Sequence, residues 1–214
     1  MLNRLELLFN FLGCGILFFI GMIVIKRTRS ERLPSGSIIL QKSESVENNR
    51  PPGNRWSQLG VTMPFLFNKS LEILIIILCF VNIWEYTSQL IAIDLPLIVN
   101  WIGIIGLWLC VIWSIAGFYY NVNFTRLYKP LPGKYILATG GPYKYIRHPF
   151  YVGGAIEILS FILSTGIWIA IILLVIYLIT LPFQARGEEK VLREIFGTIY
   201  DDYASKTGRF FPKI

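Results

Sequence analysis

The sequence predicts an all-α integral membrane protein of about five transmembrane helices, closed by a cytoplasmic C-terminal amphipathic helix. Three observations carry that expectation. Of the 214 residues 54% are hydrophobic and only 15% charged, where an average soluble domain has roughly a quarter charged, and the mean hydropathy is +0.57. The apolar residues are gathered into runs near the ~20 residues that a helix needs to cross a bilayer. The basic residues are gathered between those runs: eight Lys/Arg in 26–69, five in 121–149 and six from 184 onward, with Arg4 the remaining one.

Taken in order, residues 1–25 predict an N-terminal transmembrane anchor, because 5–25 is one apolar run and no small-residue cleavage site precedes "KRTRSERL". Residues 26–70, with "LQKSESVENNRPPGNRW", are polar, rich in Ser, Asn, Pro and Gly, and aperiodic, and predict a mobile cytoplasmic loop. Residues 71–120 predict a transmembrane hairpin of two spans, 71–93 and 97–120, joined at "DLP". A second hairpin, 150–183, turns at "STG", and its arms are short for a ~30 Å hydrocarbon core. The excess of Lys/Arg in the long segments places the N-terminus outside and both large loops and the tail in the cytoplasm.

The net charge of +7 is spread over three segments. Anionic lipid headgroups account for it, and no nucleic-acid-binding motif accompanies it. Cys14, Cys79 and Cys110 stand singly in apolar runs with no ligand spacing, so they read as packing residues and no metal site is expected. Glu85 and Glu157 both fall inside expected spans. Glu85, beside Asn82, Trp84 and Tyr86, reads as polar glue between helices. Glu157, roughly in line with Gly153 and Gly154, either borders a tunnel for an acceptor or is a protonated acid bonded to a neighbouring helix.

The one histidine lies in "GPYKYIRHPFYVGG". Gly140 and Gly141 allow a tight or positive-φ turn, Pro142 fixes it, and Pro149 drives His148 toward extended backbone and starts a helix over 149–163. The helix mouth, with Arg147 and His148, is built to receive an anion. The competing reading makes Lys144, Tyr145 and Arg147 an interfacial belt and His148 a helix cap. Further on, Val191, Leu192, Ile195, Phe196, Ile199 and Tyr203 recur at helical spacing and predict an amphipathic helix over 188–203. Glu189, four before Arg193, reads as half of an exposed pair. Glu188, four before Leu192, reads as directed inward and in need of a cationic partner, with Arg147, His148 or a bound cation as candidates.

The series "LATGGPYKYIRHPFYVGG" and then "EEKVLREIFGTIYDDYASKTGRFFP" resembles the isoprenylcysteine carboxyl methyltransferase family, together with the related bacterial and phospholipid membrane methyltransferases. The resemblance covers roughly residues 113–212, and it makes 121–214 the catalytic region. It implies S-adenosyl-L-methionine as methyl donor, held by a cytoplasmic loop, the start of the hairpin and the tail helix. Carried over by position, the donor contacts are Tyr135, Ile136, Leu137, Ala138, Tyr143, His148, Pro149, Phe150, Tyr151 and Glu188. Those residue types suit the donor: aromatic faces and a carboxylate for its cations, a helix N-terminus for its anion. "GCGILFFIG" is apolar helix, so no dinucleotide fingerprint competes.

Two positions depart from the family. Tyr135 stands where the eukaryotic enzymes show a histidine, and Gln184 where they have an arginine associated with the acceptor, a role that Arg186 could take. The expected chemistry is in-line methyl transfer to a lipophilic small molecule or lipidated substrate drawn from the membrane. A carboxylate acceptor like that of an isoprenylcysteine is favoured over a lipid amine or a thiol, with Arg147 or Arg186 orienting it and Gln184, Arg186 and Glu157 on the acceptor side. Two other classes compete. Membrane sterol reductases share the RHPxY helix start but use NADPH, several carrying a glutamate where this chain has Gly154. A non-catalytic scaffold would keep the fold and lose the chemistry.

Overall fold

The computed structural model describes residues 2–28, 34–41, 55–121 and 134–213. Residues 29–33 and 42–54 of the expected 26–70 loop, and 122–133 of the second connection, lie outside the described residues. Within them the fold is largely helical, and four helices are long and apolar enough to cross a membrane: α1 (Arg4–Thr28), α2 (Arg55–Phe80), α4 (Leu97–Tyr120) and α6 (Ile169–Phe196). A shorter apolar helix, α5 (Pro149–Thr165), packs among them. The protein is thus a multi-pass membrane protein.

The seam between α4 and α5 is made of small residues. A Cβ on Gly103 would lie 2.3 Å from the Ser164 nitrogen, and one on Gly106 would lie 2.2 Å from Ser160 Oγ, so only glycine lets the backbones approach this closely. Side-chain hydrogen bonds then fix the register: Asn100 Nδ2 donates to the Leu163 carbonyl at 3.0 Å and Trp113 Nε1 to the Pro149 carbonyl at 2.8 Å. Gly60 on α2 gives Thr180 on α6 the same close approach. Around these seams Phe11, Ile75, Leu107, Ile158, Phe161 and Leu181 form the bundle core.

Several expected boundaries are corrected. A helix begins at Arg55, inside the expected loop: Ser57, Val61, Pro64, Asn68, Ile75 and Cys79 form its buried stripe, and because half of that stripe is polar or proline, hydrophobicity alone concealed it. α2 ends at Phe80, so the expected span 71–93 is broken. Asn82, at φ 64°, makes the turn into the short α3 (Trp84–Ile91). Asn82, Glu85 and Tyr86 are exposed there and Trp84 is buried; Glu85 accepts from the Arg4 N–H at 3.4 Å and lies 3.8 Å from its guanidinium, so it ties α3 to the start of α1. The arm expected to stop at 183 continues through Pro182 to Phe196, and Gly197, at φ +54°, separates it from α7 (Thr198–Lys206). The expected 188–203 helix is therefore two pieces.

A small sheet also stands where only loop was expected. β1 (Ser37–Gln41) pairs antiparallel with β2 (Lys134–Ala138), Leu40 opposite Tyr135. Leu137, Phe196, Tyr200 and Tyr203 pack together over it as a second core. An isolated bridge joins Ile146 to Gly208, so both long connections and the tail meet at one end of the bundle. The tight turns meet at the other end, where Ala92 bridges Ile167 and Ile93 N–H donates to the Gly166 carbonyl at 2.8 Å.

Candidate functional site

At the end where the connections gather, a short 3₁₀ turn over Gly141–Lys144 leads into α5. Gly141 has φ +56°, and a Cβ there would lie 2.2 Å from the Tyr120 ring, so the turn requires glycine. His148 occupies the N-cap position of α5 with Pro149 next, but its ring makes no capping hydrogen bond. Instead the ring lies between two carboxylates. Nδ1 is 3.4 Å from Glu188 Oε2 and Nε2 is 3.3 Å from Glu189 Oε1. Tyr151 stacks on the imidazole at 5.4 Å between centroids. Burial opposes the charged ring, but hydrogen bonds to Glu188 and Glu189 outweigh it and raise the His148 pKa above its ordinary value.

Glu188 and Glu189 have different partners. Glu188 accepts from Tyr151 Oη and from Gln184 Nε2 at 3.2 Å. Glu189, expected on the exposed face, is fully buried. It takes Arg147 Nε at 3.0 Å and a bidentate Arg209, Nε at 2.9 Å and Nη2 at 2.6 Å. The cause is the tail, which doubles back along the α5 mouth: Arg147 N–H donates to the Gly208 carbonyl at 2.8 Å and His148 N–H to that of Arg209 at 3.2 Å. Arg193, the expected partner of Glu189, pairs with Asp201 at 3.0 Å instead. Arg147 also donates to the carbonyls of Ala204 and Thr207, so its guanidinium anchors the strap.

Inside the ion cluster lies a cavity of about 1030 Å³ that runs from this polar end into the bundle. Of the sequence-derived candidates, Leu137, Ala138, Tyr143, Arg147, His148, Pro149, Phe150, Tyr151, Glu157, Gln184 and Glu188 line it. Tyr135, Ile136 and Arg186 do not. Tyr135 packs into the sheet-side core, and Arg186 is exposed on the outer face of α6. Gln184 is buried and accepts from Ser57 Oγ at 3.0 Å.

Other lining residues were not anticipated. Tyr200 and Tyr203 line the polar end. Tyr203 Oη donates to the Tyr143 carbonyl at 2.7 Å, and Asn121 Nδ2 donates to Tyr143 Oη at 3.0 Å. The Tyr200 hydroxyl is buried with no hydrogen-bond partner among the described residues, and burial raises its pKa, keeping the proton on a donor that the cavity offers a ligand. Their shared spacing with Phe196 was visible in the sequence; that this face turns toward a cavity was not. Lys69 and Glu72, which line the deep end, belong to the helix that the loop assignment hid. Among the described residues no group of three or more His, Cys, Asp or Glu is arranged to hold a metal ion.

The polar end fits the donor that the resemblance implies. Glu188 brings a carboxylate to the wall, Tyr143, Phe150, Tyr151, Tyr200 and Tyr203 bring aromatic surface, and the Tyr200 hydroxyl stands unpartnered.

The phospholipid methyltransferase family model matches residues 98–199, from α4 through the start of α7. The nickel-cobalt-cadmium resistance protein NccN of Alcaligenes xylosoxydans xylosoxydans is 35% identical over 79 residues, 36% of this chain and 37% of that protein. The cobalt-zinc-cadmium resistance protein CzcN of Cupriavidus metallidurans is 30% identical over 79 residues, 36% of each chain. The chain therefore spans little more than a third of the length of the curated relatives it matches.

Proposed function

From the premise that residues 98–199 belong to the phospholipid methyltransferase family, we propose that this chain is an S-adenosyl-L-methionine-dependent methyltransferase acting on a lipophilic acceptor. One observation carries the reading: a buried imidazole held between two adjacent carboxylates closes one end of a cavity that continues into the bundle between largely apolar walls. A small charged ligand and a greasy one can share that space.

When bound, the donor supplies an electrophilic methyl group on a sulfonium. Glu188, Tyr143, Phe150, Tyr151, Tyr200 and Tyr203 would hold it, the carboxylate and the ring faces matching its cations. Leu137, Ala138 and Pro149 complete the wall. Glu189, Arg147 and Arg209 touch none of this chemistry directly. They clamp the strap and thereby fix the His148 ring, which in turn aligns Glu188. Charge diminishes as a nucleophile takes a methyl from a sulfonium, so a dry, low-dielectric chamber favours the transfer and positioning supplies much of the rate. Gln184, in the cavity where an arginine was expected, holds Glu188 with its amide and is the group nearest an acceptor head; Arg186 is too exposed for that role.

The clustering of both long connections and the tail at one end supports an arrangement of five spans, α5 included, with that end cytoplasmic and the N-terminus outside. Calorimetry on purified protein tests the function. Heat is expected from S-adenosylmethionine and S-adenosylhomocysteine and none from NADPH; heat from NADPH alone would move the chain to the reductases. Incubating membranes with radiolabelled donor then identifies the fraction that gains the label.

A further inference from the structure

The cavity has a second polar pole that the donor does not account for. Glu157 stands nine residues beyond His148, about 14 Å along the α5 axis, and lines the same cavity with Lys69 and Glu72 of α2. Lys69 Nζ is 3.0 Å from Glu72 Oε2 and ion-paired with Glu157. Asn68 Nδ2 donates to Glu72 Oε1 at 3.0 Å. The cluster lies midway along α2, a membrane-crossing helix, where ionised side chains are costly and mark cavities or ligand paths.

This cluster is incomplete as it stands. Two carboxylates share one ammonium. Glu157, only 8% exposed, has an Oε1 that is ion-paired but accepts no directed hydrogen bond, and the buried Asn68 Oδ1 has no partner among the described residues. Beside it the bundle opens toward lipid. Phe11, Gly15 and Ile76 line both the cavity and an adjoining apolar groove of about 280 Å³, completed by Leu12, Ile16 and Phe19. A Cβ placed on Gly15 would meet no atom within 4 Å.

We propose that the Lys69–Glu72–Glu157 cluster is a second ligand subsite, seating a hydrogen-bond-donating group, a hydroxyl or an ammonium, of an amphiphile whose hydrocarbon chain runs out to the lipid through the opening at Gly15. Donor hydrogens meet the unused lone pairs; a carboxylate or phosphate would add like charge to two glutamates, and bare hydrocarbon would leave them unsatisfied. The continuity of groove and cavity through Gly15 is what assigns the groove to the same molecule. Taken together with the methyltransferase reading, on which this part rests, it defines the acceptor: a chain bearing a polar station at the inner pole besides the atom methylated nearer His148. That departs from an isoprenylcysteine, whose polar groups are all at one tip.

The test is photolabelling of the full chain with three alkyl diazirine probes of one chain length, ending in an alcohol, an amine or a carboxylate, followed by peptide mapping. Alcohol and amine probes should label residues 11–16 and 69–76 at least about tenfold more than the carboxylate probe, the discrimination expected of one hydrogen bond to a charged group. Gly15→Leu, which fills open space, should suppress that labelling and spare the lipid-facing side of α4. Glu157→Gln should lower amine labelling more than alcohol labelling. Equal labelling by all three probes, persistence in Gly15→Leu, or no effect of Glu157→Gln on either probe would overturn the subsite. Calorimetry with S-adenosylhomocysteine on the same samples separates the two readings. Selective labelling without heat overturns methyl transfer and leaves the subsite standing, whereas heat without selective labelling overturns the subsite alone.

Discussion

Two pairs of glutamates stand at the two poles of one cavity, three of the four lining it, and they are neutralised differently. At the outer pole Glu188 and Glu189 meet His148, Arg147 and Arg209, so cations match or outnumber carboxylates and nearly every oxygen is bonded. At the inner pole Glu72 and Glu157 share Lys69 and leave acceptor capacity unused. The outer pole is tied by backbone as well, the tail lying along 145–148, whereas the inner pole is held by helix packing alone. The difference teaches which charges hold the fold and which are kept for a ligand: removing a saturated charge that does not line the cavity, as Glu189, should cost stability, and removing one that lines it, as Glu188, should change binding.

The largest expected effect falls on Glu189. Glu189→Ala leaves the buried Arg147 guanidinium and the half-buried Arg209 without their anion and His148 with Glu188 alone, a loss of about 3–5 kcal/mol, and thermal unfolding in detergent should show it directly; a melting temperature close to wild type would break the comparison. Glu188→Ala should melt near wild type yet lose donor binding by about a hundredfold or more in calorimetry, roughly 2.7 kcal/mol. If the two variants behave alike, the distinction between adjacent carboxylates is wrong.

A pH titration sharpens the same point. The folded His148 pKa is raised, so the stabilisation that the charged ring contributes is fully present below the unfolded value of about 6.5 and is lost as pH rises through the higher folded value. Melting temperature should therefore decline on the alkaline side of pH 6.5, and His148→Gln should flatten that decline. Smallest of all should be the effect of Lys69→Met on donor binding: Lys69 belongs to the inner pole, about 14 Å along the α5 axis from His148, so donor affinity should stay within about twofold.

Much of the frame was legible in the residues. α4 spans Leu97–Tyr120 as expected because a single apolar run is bounded by Pro96 and Asn121, and α5 begins at Pro149 because a proline after an extended residue leaves few alternatives. The meeting of His148 with Glu188 followed from the same local reasoning. Glu189 failed for a definable reason. On a helix its side chain points about 100° away from Glu188, and that direction reads as solvent only if nothing covers it; residues 207–209 do cover it. Lys69 failed because a buried stripe that includes Ser57 and Asn68 looks, in one dimension, like the polar loop preceding it, and Glu72, inside the expected span 71–93, because Lys69 and Glu157, which cluster with it, lie outside that span.

By itself the amino-acid sequence determined that this chain lives in a bilayer, where several of its turns fall, that an imidazole opens one helix, and that Glu188 faces inward on another, since each of these depends on residues within a turn or two of one another. Only the tertiary structure decided that the tail folds back as a strap, that the neighbouring glutamate becomes the hub of an ion cluster, and that a lysine on α2 meets a glutamate on α5. Those contacts join residues 20 to 88 positions apart. Whether a charge so placed is tolerable depends on the full set of partners around it, which no local spacing contains.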